Sequence, residues 1–484
     1  MKTTMSLTLR DYQKGDLAHS IAVKKDLYMH DPGVGKTPPA CIFIYYVWKH
    51  HQGKTIWSMP THLMDKNRRE LLAWSNFKPE EVAIVDGTRK QKDDIIADPK
   101  VKVFLTSFPG LVKNKAWQQY KGIKLIALDE FHKYFSNHKS PATQELYRAV
   151  KTVPYFLGMS GTLVKGRLDS AYPMLQIIAP RYYGNYTDFM AQHAITDWYG
   201  KVIGWRNHEK LKTILSRIGR RTAFEDVFGK RDIVFFIEEI DMGPKQKKAY
   251  DEFEKMGMLE LEKVILEGSN EGVNLLRLRQ ILAHPERISV PTERNSKGGI
   301  SKFEIEDASG GVDTERDERI KLHIQDHLDT KEPLVIVSTL IPEQQRLYEL
   351  ANKMGMKTAL INSTVPNKVR WQIDKDFQAG RLQCVVGSPS TMGTGFNWSH
   401  INHILTAGLD FAADDFIQIL MRGFRGKRNQ PLKVTLIQYR KSVEQHIDKV
   451  LDKKSRESHL IDPTYLTLNL SGAHRTAENG VFVS

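Results

Sequence analysis

Short apolar runs rich in β-branched and aromatic residues recur along the first third of the chain, at 26–30, 54–58, 82–85, 101–106, 123–129 and 153–158. The stretches between them read as helices, and strands that alternate with helices predict a parallel sheet. From about residue 181 to residue 300 the pattern changes. Residues 244–267 and 274–283 space their apolar positions three and four apart, as helices do, and the polar, glycine-containing stretch 296–316 reads as a mobile linker. The alternation then returns, with strands expected at 333–338, 357–362, 383–387, 403–407 and 432–438. The expected fold is α/β: two parallel-sheet lobes (1–180 and 301–462), a helical insertion between them (181–300) and a polar tail (463–484).

Composition narrows the class. The 484 residues allow about two to four domains at roughly 100–200 residues each. Hydrophobic residues at 40% and charged residues at 26% exclude a disordered chain. Lys and Arg number 71 against 57 Asp and Glu, a net charge of +14, which suits a polyanionic partner and equally suits simple solubility. The two cysteines, Cys41 and Cys384, are too few and too distant for a disulfide framework or a zinc site, as expected in a reducing cytosol. Residues 1–10 lack a signal-peptide core, and the longest apolar run, 40–48, falls short of the roughly 20 residues a membrane helix needs. A soluble cytoplasmic protein (of the host cell, if viral) with no membrane partner is expected.

Asp31-Pro32-Gly33-Val34-Gly35-Lys36-Thr37 follows an expected strand and precedes an apolar helix. That is the setting of a phosphate-binding loop, in which glycines let backbone N–H groups approach phosphates at a helix N-terminus. Lys36 would reach the β and γ phosphates and Thr37 would hold Mg²⁺. The full spacing asks for another glycine where His30 stands. Downstream, Leu125-Ile126-Ala127-Leu128 delivers Asp129 and Glu130 at the end of a strand, with His132 beyond. Asp129 would hold Mg²⁺ and Glu130 would polarise the attacking water. Ser160-Gly161-Thr162 follows another strand and would relay between His132 and the second lobe. In the second half, Gly393-Thr394-Gly395-Phe396-Asn397 allows close backbone approach to phosphate or nucleotide. Arg422 and Arg425, with Gln418 before them, would place a guanidinium on the transferring phosphoryl group. Taken singly, each of these is also compatible with an ordinary turn or a solvated basic face; their order gives them weight.

In that order the elements resemble the superfamily-two helicases, and more narrowly their Swi/Snf-like group of DNA translocases, over about residues 9–447. The resemblance implies two RecA-like lobes. Leu9-Arg10-Asp11-Tyr12-Gln13 is similar to the group's adenine-recognition segment, implying Arg10 and Gln13 beside the nucleotide. Met59-Pro60-Thr61 and Leu105-Thr106-Ser107 match its first-lobe DNA-tracking motifs. Arg220-Arg221-Thr222 resembles its basic brace, and Met242-Gly243-Pro244 with Gln246 and Tyr250 follows its pattern. Leu278-Arg279-Gln280-Ile281 with His284-Pro285 distinguishes the group from other superfamily-two helicases. Ser388 to Asn397, Gln418, Arg422 and Arg425 match second-lobe motifs. Three departures stand out: Pro32 replaces a Glu-Met step, Ser390 stands where Arg is common, and Gly426-Lys427-Arg428 replaces Ile-Gly-Gln.

The expectation is therefore an ATP- and Mg²⁺-dependent motor, similar to phage or bacterial branch-migration and fork-remodelling helicases, with ATP binding closing the lobes. Its track is expected to be duplex, forked or branched DNA, with RNA the lesser expectation, and its state a monomer. Thr61, Thr106, Ser107, Ser363, Thr364 and Asn397 are the candidate phosphate grips. An RNA helicase, a restriction-enzyme motor and a non-catalytic clamp are the alternatives.

Overall fold

The computed structural model describes residues 8–113, 122–161, 164, 167–254, 272–285, 288–294, 300–306, 313–393, 395–424, 428–461, 466–476 and 482–483. Two compact units emerge, Met1–Gly229 with Ser458–Tyr465, and Lys230–Glu457 with Leu466–Ser484.

In the first unit, β1 (Lys25–Tyr28), β2 (Lys54–Ser58), β3 (Val82–Ile84), β4 (Val103–Thr106), β5 (Ile123–Asp129) and β6 (Tyr155–Met159) form one sheet. Its order is β1-β6-β5-β2-β4-β3, and every pairing is parallel. Successive side chains of a strand point to opposite faces. Leu27, Ile126 and Leu128 accordingly enter one apolar layer, and Tyr28, Leu125 and Ala127 enter the other. Both layers are covered, which is why apolar residues in these strands fall on both faces without strict alternation. Helices α2 (Thr37–His51) and α3 (Met64–Trp74) cover the second layer through Phe43, Ile44, Val47 and Leu71. Helices Pro141–Lys151 and His208–Ile218 cover the first through Leu146, Val150, Leu211 and Leu215. Beside that layer stands an antiparallel hairpin, β7 (Ala194–Thr196) and β8 (Val202–Trp205).

The second unit's sheet is built from β9 (Ile233–Ile240), β12 (Leu334–Val337), β13 (Thr358–Ile361), β14 (Cys384–Gly387), β15 (His403–Thr406), β16 (Leu432–Tyr439), β17 (His474–Thr476) and β18 (Phe482–Val483). Its order is β13-β14-β12-β15-β16-β9-β17-β18, parallel except for the last pair. A separate hairpin, β10 (Ile288–Arg294) and β11 (Ile300–Glu306), lies in the segment before β12.

Three expectations are corrected. The insertion expected at 181–300 is divided: up to Gly229 it belongs to the first unit, and from Lys230 to the second. Within it, β9 runs parallel to β16 along its whole length. The tail supplies β17, which pairs with β9 through His474 and Arg475. The stretch read as a mobile linker holds β11 and the start of helix Glu315–Thr330, capped by the Thr314 side chain on the Asp317 N–H. The helix expected at 244–267 is present over 244–254; the remainder lies outside the described residues. Among the described residues no helix is long and apolar enough to cross a membrane.

Arg316, expected in the linker, is fully buried. Its guanidinium donates to both Glu444 carboxylate oxygens at 2.7 Å, lies 3.4 Å from Glu343, and sits 4.5 Å over the Tyr439 ring. It also donates to the Leu282 carbonyl at 3.4 Å, pinning helix Val273–Ala283 to the unit. Burial pushes the Glu444 carboxyl up, and the Arg316 charge pulls it back. Removing the cation strands two buried carboxylates. Arg316→Ala is therefore expected to cost about 3–5 kcal/mol, measured as a lower urea midpoint of the transition that reports the second unit.

Candidate active site

The parallel sheet brings three loops to one edge, because β1, β6 and β5 are neighbours and each ends there. The loop after β1 carries Asp31 to Lys36, the turn after β6 carries Ser160 and Gly161, and β5 ends at Asp129.

In the first loop Gly33 and Gly35 have φ of 90° and 93°, a region that only glycine adopts without strain. A β-carbon on Gly35 would stand 2.9 Å from Gln13 Nε2. That amide donates to the Gly35 carbonyl at 2.9 Å, and the Tyr12 hydroxyl donates to the Val34 carbonyl at 2.5 Å. Gln13 Oε1 accepts the Arg10 backbone N–H at 2.9 Å, while the Arg10 guanidinium lies 4.9 Å from the Phe228 ring centre. Helix α1 (Asp11–Val23) thus holds the loop from the side where adenine recognition was expected. Lys36 folds over the loop and donates to the His30 carbonyl at 2.9 Å. Thr37 opens α2; Pro38 and Pro39 follow it without N–H groups, so the first turn offers a phosphate the Thr37 N–H and the helix dipole.

Position 30 needs no glycine, because His30 is absent from the positive-φ residues. Its ring stacks on Tyr28 and bonds Asp16 Oδ2 at 2.8 Å; burial pushes its pKa down. Pro32 is accommodated by Gly161: a β-carbon there would lie 3.0 Å from Pro32 Cδ.

Asp129 is buried, and its carboxyl is pushed up, first by burial and then by the Glu130 charge. Asn67, Lys36 and Lys66 pull it down, which ties the lysine of the phosphate loop electrostatically to the acidic pair. Asn67, from α3, donates to Asp129 Oδ2 at 2.9 Å. Glu130 has φ 53°, a left-handed conformation that costs a non-glycine residue about 1–2 kcal/mol. His132 Nδ1 lies 2.7 Å from Ser160 Oγ and 3.4 Å from Glu130 Oε2, which joins the turn after β6 to the acidic pair after β5. Thr162 lies outside the described residues.

The brace arginines face the phosphate loop. Arg221 pairs with Asp31 at 2.6 Å and donates to the Met29 carbonyl; Asp31 also accepts the Phe224 N–H at 3.0 Å. Arg220 pairs with Asp16 at 3.2 Å, and its backbone bridges Tyr28 beside β1. A carboxylate next to a triphosphate site would repel the ligand unless neutralised; Arg221 supplies that charge.

Of the expected first-unit grips, Thr61 is exposed and Ser107 is half-buried, capping Gly110 N at 3.1 Å. Thr106 is 1% exposed, turned against Gly110, and presents nothing to a nucleic acid. In the second unit, Ser363, Thr364 and Asn397 are exposed, and Gly395 has φ 86°. Thr364 bonds Asn362 Oδ1 through its N–H at 3.0 Å and its hydroxyl at 2.6 Å. An open cleft of about 500 Å³ at the ends of β12, β13, β14 and β15 is lined by Thr339, Ser363, Ser388, Ser390 and Thr391 on one part and by Asp410 and Asp415 on another. Arg279 donates to the Thr339 hydroxyl there.

Arg422 does not present a free guanidinium. It is buried, donating to the Gly393 carbonyl at 2.9 Å and approaching that of Phe396 at 3.5 Å, within its own unit. Gln418 is buried beside the same turn, within contact of Gly393. Arg425 and Thr394 lie outside the described residues.

The model of the SNF2-related domain matches residues 13–287, and that of the helicase conserved C-terminal domain matches 318–427. The chain belongs to the SNF2-related family. Among curated proteins it is similar to chromodomain-helicase-DNA-binding protein 1 of Gallus gallus and of Homo sapiens, each at 21% identity over 94% of this chain. It spans 27% of the length of each of those relatives. Among solved structures, the Sulfolobus solfataricus SWI2/SNF2 ATPase core in complex with dsDNA is similar at 18% identity, with a TM-score of 0.41 over 96% of both chains.

Asp16, Asn67 and Thr339 were missed as supports of this SNF2-related core. A lone Asp or Asn inside a helix carries no local signal of what it touches across the sheet. Gly35→Ala would force a left-handed alanine against Gln13. The expected outcome is at least about a tenfold loss of nucleotide affinity, for a cost of about 1.4 kcal/mol or more, read by equilibrium binding of a fluorescent ATP analogue.

Proposed function

We propose that this SNF2-related core is an ATP-dependent translocase on duplex or branched DNA, remodelling forks or migrating branches in replication, recombination or repair. The observation that carries the reading is the electrostatic and hydrogen-bonded continuity of the first-unit site. Lys36 folds over the phosphate loop, Asn67 bonds Asp129, and His132 stands 3.4 Å from Glu130 while bonding Ser160 at 2.7 Å. The curated relatives are named for DNA binding, which favours DNA over RNA.

The loop fits a triphosphate: its glycines leave room that a β-carbon at Gly35 would fill, and Lys36 already occupies carbonyl oxygens from which phosphates would draw it. Thr37 and Asp129 fit Mg²⁺, an ion that neutralises charge on phosphate oxygens when bound. Glu130 would orient the attacking water and take up its proton, with His132 fixing the carboxylate by the 3.4 Å contact. Asn67 would hold Asp129 in its metal-facing orientation. With Arg422 committed to Gly393 and Phe396, Arg425 becomes the candidate for charge on the γ-phosphoryl group.

Lys36→Ala and Glu130→Gln are each expected to abolish DNA-stimulated phosphate release; full turnover in either would refute the site. Arg425→Ala should keep nucleotide binding and lose turnover by about 10³-fold or more. A phosphate-release panel with duplex, fork, four-way junction, single strand and RNA tests the track, with greatest stimulation expected from duplex or branched DNA. Binding should weaken by about 10³ between about 50 and 200 mM salt if six or more phosphates are held. A flat response would remove phosphate tracking.

A further inference from the structure

The β7–β8 hairpin ends in two aromatic side chains with nothing over them. Trp198 is 103% exposed and Tyr199 97%, whereas the next most exposed large apolar residue among the described residues, Leu322, is at 62%. Ile203 and Ile195 extend the bare apolar surface down the hairpin at 56% and 42%.

The tip is fixed. Asp197 Oδ1 accepts the Tyr199 N–H at 3.0 Å and the Lys201 N–H at 2.9 Å. The Asp197 N–H donates to the Lys201 carbonyl at 2.9 Å, and Gly200 closes the turn with φ 77°. A loop with its own cap and a left-handed glycine holds its side chains out in one arrangement.

The root is fixed as well. His193 bonds the Tyr183 hydroxyl at 2.7 Å and the Arg206 carbonyl at 3.1 Å. Arg206 donates back to the Ala191 carbonyl at 2.6 Å, and Asn207 donates to the Gln192 carbonyl at 2.6 Å. Phe189 and Leu211, on either side of the root, enter the apolar layer that also holds Phe108 and Phe131, the neighbours of Ser107 and Glu130. At about 3.3 Å per residue, the tip stands roughly 15 Å beyond the root. The result is a stiff arm, anchored in the body of the nucleotide-binding unit, with two aromatic rings at its end.

We propose that Trp198 and Tyr199 form a stacking wedge, which engages nucleobases where a duplex opens into single strands. The inference rests on the motor reading above and adds the element that would convert travel into strand separation. A base pair at an opening fork loses its stacked neighbour, and an aromatic ring supplies a replacement surface whatever the base. Adjacent aromatics suit successive bases; Lys201 follows them in the turn, Arg206 and Lys210 stand at the root on the Ala191 carbonyl and the Gln192 amide oxygen, and Lys212 is paired with Glu209, which leaves a cationic excess beside the arm for phosphates. A protein groove would also accept two aromatics, and the experiment separates the two.

Trp198→Ala/Tyr199→Ala in the full chain removes only solvent-facing atoms, so an unchanged melting temperature is expected. Duplex-stimulated ATPase should stay within about twofold of the unaltered chain. Strand displacement on a forked duplex should fall about tenfold or more, the scale of one lost stacking contact. The emission of a 2-aminopurine at the junction base pair should change when the unaltered chain binds and stay as in free DNA with the double variant. Trp198→Phe/Tyr199→Phe should restore both. Unchanged displacement with an unchanged junction signal overturns the wedge, leaves the motor standing, and assigns the aromatics to a protein contact. If the unaltered chain shows no DNA-stimulated turnover, the motor reading falls instead, and the junction signal alone decides the stacking claim.

Discussion

A parallel strand delivers its last residue to the same edge as its neighbours, and in the first unit β1, β6 and β5 lie side by side. The loops that follow them come from distant parts of the sequence, yet they share one edge of one sheet. Everything proposed for the site depends on that adjacency. It puts an ammonium close enough to a buried carboxyl to oppose the effect of burial, and a histidine close enough to a serine on the next strand to bond it. The crowding shows locally: Glu130 is held in a left-handed conformation, Gly33 and Gly35 have positive φ, and a β-carbon on Gly35 would meet Gln13. Strain of this kind persists only where the surroundings over-determine it.

What was legible in the sequence follows from how locally each feature is determined. Strands such as 54–58 and 123–129 emerge with the same bounds, because burial on both faces writes itself into a single short segment rich in β-branched and aliphatic residues. The phosphate loop and the acidic pair were equally plain, since chemistry requires their residue types in a row. By contrast, β9 pairs with a strand some 200 positions later, and β17 joins it from farther still. No local periodicity announces such a partner. Arg316 shows the same limit: a polar residue in a polar stretch looks solvated until Glu343 and Glu444 arrive from other helices.

The arginines mark a second boundary. Sequence position alone gave Arg220, Arg221 and Arg422 to a brace or to catalysis. In the structure Arg220 and Arg221 answer buried aspartates around the phosphate loop, and Arg422 secures a glycine turn through backbone carbonyls. Each of the first two is matched by a carboxylate, so the pairs cancel, and the chain's positive excess resides in other basic groups. Thr106 illustrates the converse, a hydroxyl in the expected motif whose side chain faces inward.

The position of β9 bears on how the molecule could be divided. The helicase C-terminal match begins at residue 318, yet the sheet beneath it includes a strand that starts at Ile233. A fragment trimmed to the match would leave the flank of β16 with a row of bare amides and carbonyls, an invitation to intermolecular pairing. The second unit thus takes one of its inner strands from within the span of the other family match, which runs to residue 287.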